Sequence, residues 1–243
     1  MSRNITPYKE SNLSKKDQII KMFDGISHEY DKLNRVISLG IDIVWRKKVV
    51  QIVKKLNPEN ILDIATGTGD LAINFSKTNA KKIIGIDISR GMLEIGKKKI
   101  TSMNLKDSIE MIVADSENIP FNNNSFDAVT VAFGVRNFEN LEKGLSEILR
   151  VLKPNGICVI LETSIPKNYF FKQLYFLYTK LFLNLVGNYF SKDKKAYNYL
   201  SDSAAKFPYG NKFNNILMKI GFTEVRDFPQ TFGAATIYTA KKN

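Results

Sequence analysis

The sequence predicts an α/β protein with a mostly parallel sheet and helices on both of its faces. Between residues 61 and 162, short apolar runs alternate with helical stretches, which is the pattern of consecutive right-handed βαβ units. A glycine-rich turn follows the first apolar run, where folds of this class bind nucleotides. The length of 243 residues suits one such domain, and we expect a single domain over residues 1–243.

Seven strands are predicted from apolar runs, and the helices from the periodicity between them. The strands are expected at Ile61–Ala65, Lys82–Asp87, Ile109–Ala114, Phe126–Ala132, Gly156–Glu162, Thr223–Phe228 and Ala235–Ala240. Helices are expected at 70–78, 89–102, 140–152 and near 211–220. The first five strands alternate with helices and predict the parallel part of the sheet.

Two helical segments are predicted outside this core. Residues 1–57 form an N-terminal helical cap, in which a first helix starts at Ser14 and breaks near Gly25. A second helix is capped by Asp42 and stopped by Asn57-Pro58. Residues 166–210 form an inserted, aromatic-rich helical segment that turns polar from Ser191.

Composition excludes several classes of protein. The 36 basic and 24 acidic side chains leave a net charge of +12, which indicates either an anionic partner or a solubilising lysine coat. One cysteine, Cys158, and one histidine, His28, exclude an internal disulfide and a thiolate- or histidine-rich metal site. There is neither an apolar signal core nor an 18-residue apolar run, so we expect a cytoplasmic location.

The glycine-rich turn reads Asp63-Ile-Ala-Thr-Gly67-Thr68-Gly69-Asp70. Glycines at a strand-to-helix turn let the backbone approach a ligand, and the following helix offers free N–H groups. Asp87 comes 20 residues after Gly67, at the end of the second strand, where a carboxylate can accept hydrogen bonds from a ribose diol. The arrangement predicts a nucleoside site.

Two kinds of nucleoside cofactor fit this turn. Gly67-x-Gly69-x-x-Ala72 matches the dinucleotide fingerprint, so a nicotinamide-dependent oxidoreductase is one alternative. Acidic residues on both sides of the glycines would repel a pyrophosphate and attract a sulfonium that carries an α-amino group. Asp115-Ser116 follows the third strand, where an acid could accept from an adenine amino group. We therefore favour S-adenosylmethionine, although Asp63 could be a satisfied strand-end carboxylate and Asp115 a helix cap.

Four segments of the chain resemble one family. They are Met22–Asn34 with Ser38–Arg46, Leu62–Asp70, Phe133-Gly-Val-Arg136-Asn137, and Arg150–Gly156. They are similar to the menaquinone and ubiquinone biosynthesis C-methyltransferases, which are class I S-adenosylmethionine-dependent methyltransferases with a Rossmann-like fold.

The resemblance implies a set of cofactor contacts. It places them on Thr68, Asp87, Asp115 and Ser116, beside the glycines Gly67 and Gly69. The chain departs from the family at Ala132, where a contacting serine is usual, and at Asn155, where a glycine is usual. Asn tolerates the backbone region that glycine adopts in such a turn.

The resemblance also implies methyl transfer to a ring carbon of a prenylated quinol. Demethylmenaquinol is the preferred acceptor, and a methoxy-polyprenyl-benzoquinol is the alternative. Arg136 would be the catalytic cation that favours the quinolate, unless it is an ion-pair partner of Asp31 or Glu162. Asn137 and Tyr30 would bind the substrate, although Asn137 could be a turn residue and Tyr30 a packing residue. His28 could act as a base or be incidental.

The aromatic run from Tyr169 to Val186 would line a channel for an isoprenoid tail, rest on a membrane, or pack in the core. A basic chain acting on a prenylated quinol suggests peripheral contact with an anionic membrane, at its inner face. A nucleic-acid methyltransferase is disfavoured, since the fourth strand lacks an Asp/Asn-Pro-Pro-aromatic motif and Cys158 lies inside a strand. A non-catalytic scaffold is disfavoured by the intact glycine turn and by Arg136-Asn137.

Overall fold

The computed structural model describes residues 5–190 and 194–243, without the side chains of residues 180–190, 194 and 197. The strands are β1 (Asn60–Ile64), β2 (Lys82–Asp87), β3 (Ile109–Val113), β4 (Phe126–Ala132), β5 (Leu152–Thr163), β6 (Thr223–Gln230) and β7 (Ala235–Lys241). The helices are α1 (Lys15–Ile37), α2 (Ile41–Lys54), α3 (Asp70–Phe75), α4 (Arg90–Ser102), α5 (Leu141–Val151), α6 (Tyr169–Phe190), α7 (Lys194–Lys206) and α8 (Asn211–Ile220). Short 3₁₀ turns occupy Val135–Asn137 and Thr231–Gly233.

The strands form one sheet in the order β3-β2-β1-β4-β5-β7-β6. The first five pair in parallel, and β7 runs antiparallel to both β5 and β6. One face of the sheet packs against α5 and α8, and the other against α2, α3 and α4. The predicted fold, a mostly parallel seven-stranded sheet covered on both faces, is confirmed.

The fifth strand begins earlier than its apolar run suggests. Leu152 already pairs with Phe126, and the register then shifts before Ile157 pairs with Ala128. Asn155 takes a φ of 63° in the intervening turn. The expectation that asparagine would replace glycine in the left-handed region at this position is confirmed.

The N-terminal helical cap differs from the sequence-based predictions in two respects. Helix α1 continues without a break through Gly25, because its apolar stripe is buried against Met92 and Tyr199. This burial outweighs the cost of about 1 kcal/mol for one glycine within a helix. Asp42 is not the cap of α2, since Gly40 holds that position with a φ of 75°. Asp42 instead accepts hydrogen bonds from Ser38 and Arg35.

The inserted segment consists of α6 and α7. Ser191, where a polar segment was predicted to start, lies outside the described residues, and the chain beyond it is helical from Lys194. Ala196 and Tyr199 of α7 are buried against α1, so the insert contacts the cap. Within the described residues, none of the helices combines the length and the apolar character that a membrane span requires.

Candidate functional site

A pocket opens at the carboxyl ends of β1, β2 and β4, where the strand order reverses. Ligands of open α/β sheets bind at this kind of topological switch point. The pocket is lined by six of the residues that the sequence analysis singled out: Gly67, Asp87, Asp115, Ser116, Tyr30 and Asn137. Sequence positions far apart in the chain therefore meet at one place.

Asp87 is the acid at the centre of the pocket. Its Oδ2 accepts a hydrogen bond from the backbone N–H of Gly67 at 2.8 Å, and its Oδ1 accepts from Ser89 at 2.9 Å. Burial raises the pKa of Asp87 to about 6, against the opposing effect of these backbone donors. Gly67 has a φ of 57° and open space where a side chain would start. The residues fit a ribose whose hydroxyls donate to Asp87.

Thr68 and Gly69 lie on the other side of the glycine turn. The Thr68 hydroxyl donates to Asp31 of α1 at 2.5 Å and accepts from Lys99 of α4 at 3.0 Å. Gly69 has a φ of 82°, a left-handed conformation that favours glycine, and Cε of the Met111 side chain occupies the space where a Cβ would lie. These two residues hold the turn against its neighbours and do not line the pocket.

The acids that flank the glycines differ in how they are compensated. Asp70 forms ion pairs with Lys99 at 2.8 Å and Arg35 at 2.5 Å, and these cations outweigh burial and lower its pKa. The expectation that Asp70 adds negative charge to the turn is therefore wrong, because two basic helix residues neutralise it. Asp63 accepts from Thr66 and Thr130, both at 2.7 Å, while burial raises its pKa to about 6. Asp63 is thus a satisfied strand-end carboxylate.

Asp115 forms an ion pair with a lysine of the N-terminal helical cap. Its Oδ2 pairs with Nζ of Lys16 at 2.6 Å, and its Oδ1 accepts from the backbone N–H of Glu117 at 2.8 Å. Asp115 therefore caps a turn and also faces the pocket, so both of its proposed roles are compatible with the structure. Lys16 bridges the mouth of the pocket and brings the start of α1 over it.

Arg136 is buried with Glu162 and does not itself line the pocket, although its chain neighbours Gly134 and Asn137 do. Its Nη1 donates to Oε1 of Glu162 at 2.6 Å and to the carbonyl of Phe133 at 2.9 Å. Of the two ion pairs considered for Arg136, the one with Glu162 is thus present. Nε of Arg136 and Oε2 of Glu162 are buried without a hydrogen-bond partner among the described residues. The pair therefore keeps unused donor and acceptor capacity.

Three tyrosines from three helices approach Arg136: Tyr30 from α1, Tyr175 from α6 and Tyr199 from α7. Tyr199 donates a hydrogen bond to Oδ1 of Asn137 at 3.1 Å. Sequence reasoning missed Tyr175 and Tyr199, because they lie in an insert whose docking depends on long-range packing. The high aromatic content of this insert was the one feature of the sequence that could have indicated these two tyrosines. His28 is exposed on α1, whereas Ala132 lines the pocket.

The sheet order, the glycine turn and the acid at the end of β2 define a class I S-adenosylmethionine-dependent methyltransferase. The fold is similar to that of a SAM-dependent methyltransferase from Thermotoga maritima, with a TM-score of 0.62 and 20% identity over 93% of this chain and 100% of that one. Asp87 and the open Gly67 backbone fit the cofactor, which is S-adenosylmethionine.

The model of the ubiE/COQ5 methyltransferase family matches residues 11–242, and the chain belongs to this family. It is 43% identical to the demethylmenaquinone methyltransferase of Bacteroides fragilis, over 98% of this chain and 97% of that protein. It is 41% identical to the ubiquinone/menaquinone biosynthesis C-methyltransferase UbiE of Geobacter sulfurreducens, over 99% and 93%. These matches confirm the family that the four sequence segments indicated.

Proposed function

We propose that this methyltransferase methylates a ring carbon of a prenylated quinol, with demethylmenaquinol as its acceptor. The observation that carries the proposal is the Phe133–Asn137 turn, which places Asn137 in the pocket wall and the buried cation of Arg136 beside it in the chain. A relative 43% identical over nearly the whole chain is named demethylmenaquinone methyltransferase, which supports the same acceptor.

The loops that follow β1, β2 and β3 form the end of the pocket that would bind the cofactor. When bound there, S-adenosylmethionine supplies an electrophilic methyl group. Asp87 would accept the ribose hydroxyls, and Asp115 and Ser116 would face the adenine. The positive φ of Gly67 keeps side-chain atoms out of the way, so the backbone can approach the ligand.

The end of the pocket near Asn137, called the ring end below, must make a carbon of the quinol ring nucleophilic. A neutral quinol carbon is a modest nucleophile, and ionisation of the adjacent hydroxyl makes it much stronger. Arg136 is a permanent cation in a buried setting, so it favours the quinolate electrostatically. Removing one such donor typically raises a barrier by about 3 kcal/mol. Arg136 does not take the proton itself, because its guanidinium stays protonated.

Aromatic side chains surround Arg136 and the neighbouring part of the pocket. Tyr199 is 3% exposed and Tyr175 is half-buried, while Tyr30 lines the pocket and packs edge-to-face against Phe23 at a centroid distance of 5.8 Å. An apolar, tyrosine-lined wall suits a flat aromatic substrate and strengthens the electrostatic effect of Arg136.

The direct test is methyl transfer by the purified protein. Reduced demethylmenaquinone and S-adenosylmethionine should give a product heavier by one CH₂ group in mass spectrometry. A strain that lacks the protein should accumulate demethylmenaquinone. An unchanged quinone pool, together with no turnover in vitro, would contradict the proposal.

A benzoquinol is the second candidate acceptor. The Geobacter sulfurreducens relative carries a name that covers both ubiquinone and menaquinone biosynthesis. Arg136 and Asn137 would suit either ring. The same assay with a methoxy-polyprenyl-benzoquinol decides between them by comparing kcat/KM for the two acceptors, since that ratio measures discrimination.

We further propose that the protein rests on an anionic membrane through an aromatic patch, which comprises Tyr169, Phe170, Leu174, Leu177 and Phe232. Phe170 and Phe232 are 68% and 69% exposed, and Phe171 stacks on Phe232 at 4.0 Å, which joins α6 to the β6–β7 turn. Exposed apolar patches of this kind mark interaction sites. The net charge of +12 favours an anionic lipid surface, in which a prenylated quinol dissolves.

Flotation with phosphatidylglycerol-rich vesicles tests this patch. Phe170→Glu and Phe232→Glu should each reduce the bound fraction several-fold, and binding should weaken as salt is raised. Met218→Glu, at a 52% exposed position on α8, is the matched control and should bind like the wild type. Equal binding of all four proteins would rule out the patch.

A further inference from the structure

The side-chain amide of Asn137 has a fixed orientation, because α7 holds its oxygen. Oδ1 accepts the hydroxyl proton of Tyr199 at 3.1 Å, and Tyr199 is only 3% exposed. An amide whose oxygen is occupied in this way turns its NH₂ group to the opposite side. Among the described residues, no hydrogen bond uses Nδ2 of Asn137, and Asn137 lines the pocket.

Tyr199 is itself locked in place. It packs with Ile19 and Met22 of α1 and with Met92 of α4, so its ring cannot swing away from Asn137 without opening the cap. Burial raises the pKa of Tyr199 well above its ordinary value, so its hydroxyl keeps its proton and remains a donor under assay conditions. The charged groups that act on it are Arg136 and Glu162.

We propose that Tyr199 is a positioning residue that orients Asn137 as a donor, so that the ring end of the pocket selects an oxygen that only accepts hydrogen bonds. The inference rests on the proposed function and narrows it to the quinolate form of the acceptor. Arg136 has no acceptor atom, and Asn137 presents only its NH₂ group, so the two side chains complement an ionised or carbonyl oxygen. Neither of these two side chains accepts a hydroxyl proton, and an unused acceptor beside them, Oε2 of Glu162, belongs to the ion-pair partner of Arg136.

This role gives the aromatic insert a function in the chemistry. The insert supplies the hydroxyl that sets the amide, while the strand-end turn supplies the amide itself. The wrong orientation of Asn137 would present a lone pair to the quinolate oxygen, which is repulsive. Orientation therefore decides whether Asn137 helps or opposes ionisation of the substrate.

Tyr199→Phe tests the proposal by removing only the hydroxyl. We expect kcat/KM for the quinol to fall about tenfold and the acid limb of its pH profile to move up by about half a unit. S-adenosylhomocysteine affinity should stay within about twofold of the wild type, since the cofactor end is unchanged. Asn137→Asp keeps the bond to Tyr199 but turns a carboxylate oxygen to the pocket, so kcat/KM should fall about 100-fold.

The binding of menadione, a naphthoquinone with two acceptor carbonyls, provides a readout without turnover. In the presence of S-adenosylhomocysteine, Tyr199→Phe should weaken menadione several-fold and Asn137→Asp should weaken it further. Tyr238→Phe is the matched control, because it deletes a buried hydroxyl bonded to the Gly210 backbone outside the pocket. Its menadione affinity should equal that of the wild type.

Three results would overturn the inference. They are an unchanged kcat/KM and pH profile for Tyr199→Phe, an equal loss of S-adenosylhomocysteine affinity, or menadione binding that is indifferent to both variants. A wild-type protein inactive on every quinol would instead refute the proposed function. Menadione binding would still decide the orientation of Asn137 in that case.

Discussion

The ion pair between Arg136 and Glu162 serves both stability and chemistry. The side chain of Glu162 is fully buried and that of Arg136 is 8% exposed, so each depends on the other for charge compensation. Removing one partner of a buried pair typically costs about 3–5 kcal/mol, whereas replacing both with neutral groups of similar size is often harmless. A single variant therefore mixes folding with catalysis, and a pair of variants separates them.

We predict that Arg136→Ala lowers kcat by about 100-fold and destabilises the fold by about 3 kcal/mol, because Glu162 is left uncompensated. The double variant Arg136→Met with Glu162→Gln should recover most of the stability and none of the activity. Urea unfolding and methyl-transfer rates measure the two effects. If activity returned together with stability, Arg136 would be a structural residue only.

Asp87 makes cofactor affinity depend on pH. Its carboxylate must be ionised to accept two ribose hydroxyls, and burial raises its pKa to about 6. As pH falls through that value, the proton competes with the ligand, so affinity is complete above the pKa and decreases below it.

Calorimetry should therefore show S-adenosylhomocysteine binding about tenfold weaker at about pH 5 than at about pH 7.5. Asp87→Asn should bind weakly at both pH values, with a flatter profile. A wild-type affinity that is constant over this range would show that Asp87 does not hold the ribose.

Helix α1 covers the pocket and is fastened by polar contacts along its length. Lys16 pairs with Asp115 at the pocket mouth, and Asp31 accepts the Thr68 hydroxyl at the glycine turn. Between them, Asp24 accepts from the Ser89 hydroxyl at 2.6 Å and from the Gly91 backbone at 2.9 Å. Because these contacts join α1 to the loops that line the pocket, we expect ligand entry to require movement of α1.

Asp24→Ala should loosen this helix without touching the ligand. We predict a stability loss of about 1–2 kcal/mol, faster amide exchange in α1 and a faster association of S-adenosylhomocysteine. Glu29→Ala, at an exposed position of the same helix, is the control and should leave all three unchanged. An association rate unaffected by Asp24→Ala would mean that ligands enter without movement of α1.

At the scale of helices and strands, local sequence patterns predicted which elements form better than they predicted where each element begins and ends. Strands β2 and β4 have the predicted limits, since apolar runs bounded by polar residues fix both ends. Helix α2 begins differently, because the Asp42 side chain bonds to Arg35 and Ser38, and not to the first backbone N–H groups of its own helix. Helix α1 likewise continues without a break because it is buried against other elements. Those elements are distant in the sequence, so a local stretch of sequence does not reveal the burial.

For the whole molecule, the glycine turn and Asp87 were predictable from spacing, because the carboxyl ends of parallel strands meet at one edge. Of the contacts that complete the ring end, the ion pair of Arg136 with Glu162 was one of two that the sequence suggested, whereas the bond from Tyr199 to Asn137 was not predicted. Tyr199 reaches Asn137 across 62 positions, and Glu162 reaches Arg136 across 26. Such pairs depend on how the insert and the last parallel strand pack, which a single sequence does not encode locally.

The pocket as a whole distinguishes the two cofactors that the glycine pattern left open. At about 100 times its Kd, a ligand specific for the folded state adds about 2.7 kcal/mol of stability. For a chain of this size that corresponds to a rise in Tm of about 5–10 °C. S-adenosylhomocysteine should give this rise, and Asp87→Asn should abolish most of it.

NADH at the same concentration should leave Tm unchanged. Its pyrophosphate would meet the Asp87 carboxylate at the glycine turn, while the nearby cations Arg35 and Lys99 already pair with Asp70. These two cations are therefore not free to offset the repulsion. Stabilisation by NADH alone would reverse the assignment of the cofactor, and thermal unfolding of one protein sample with each ligand measures it.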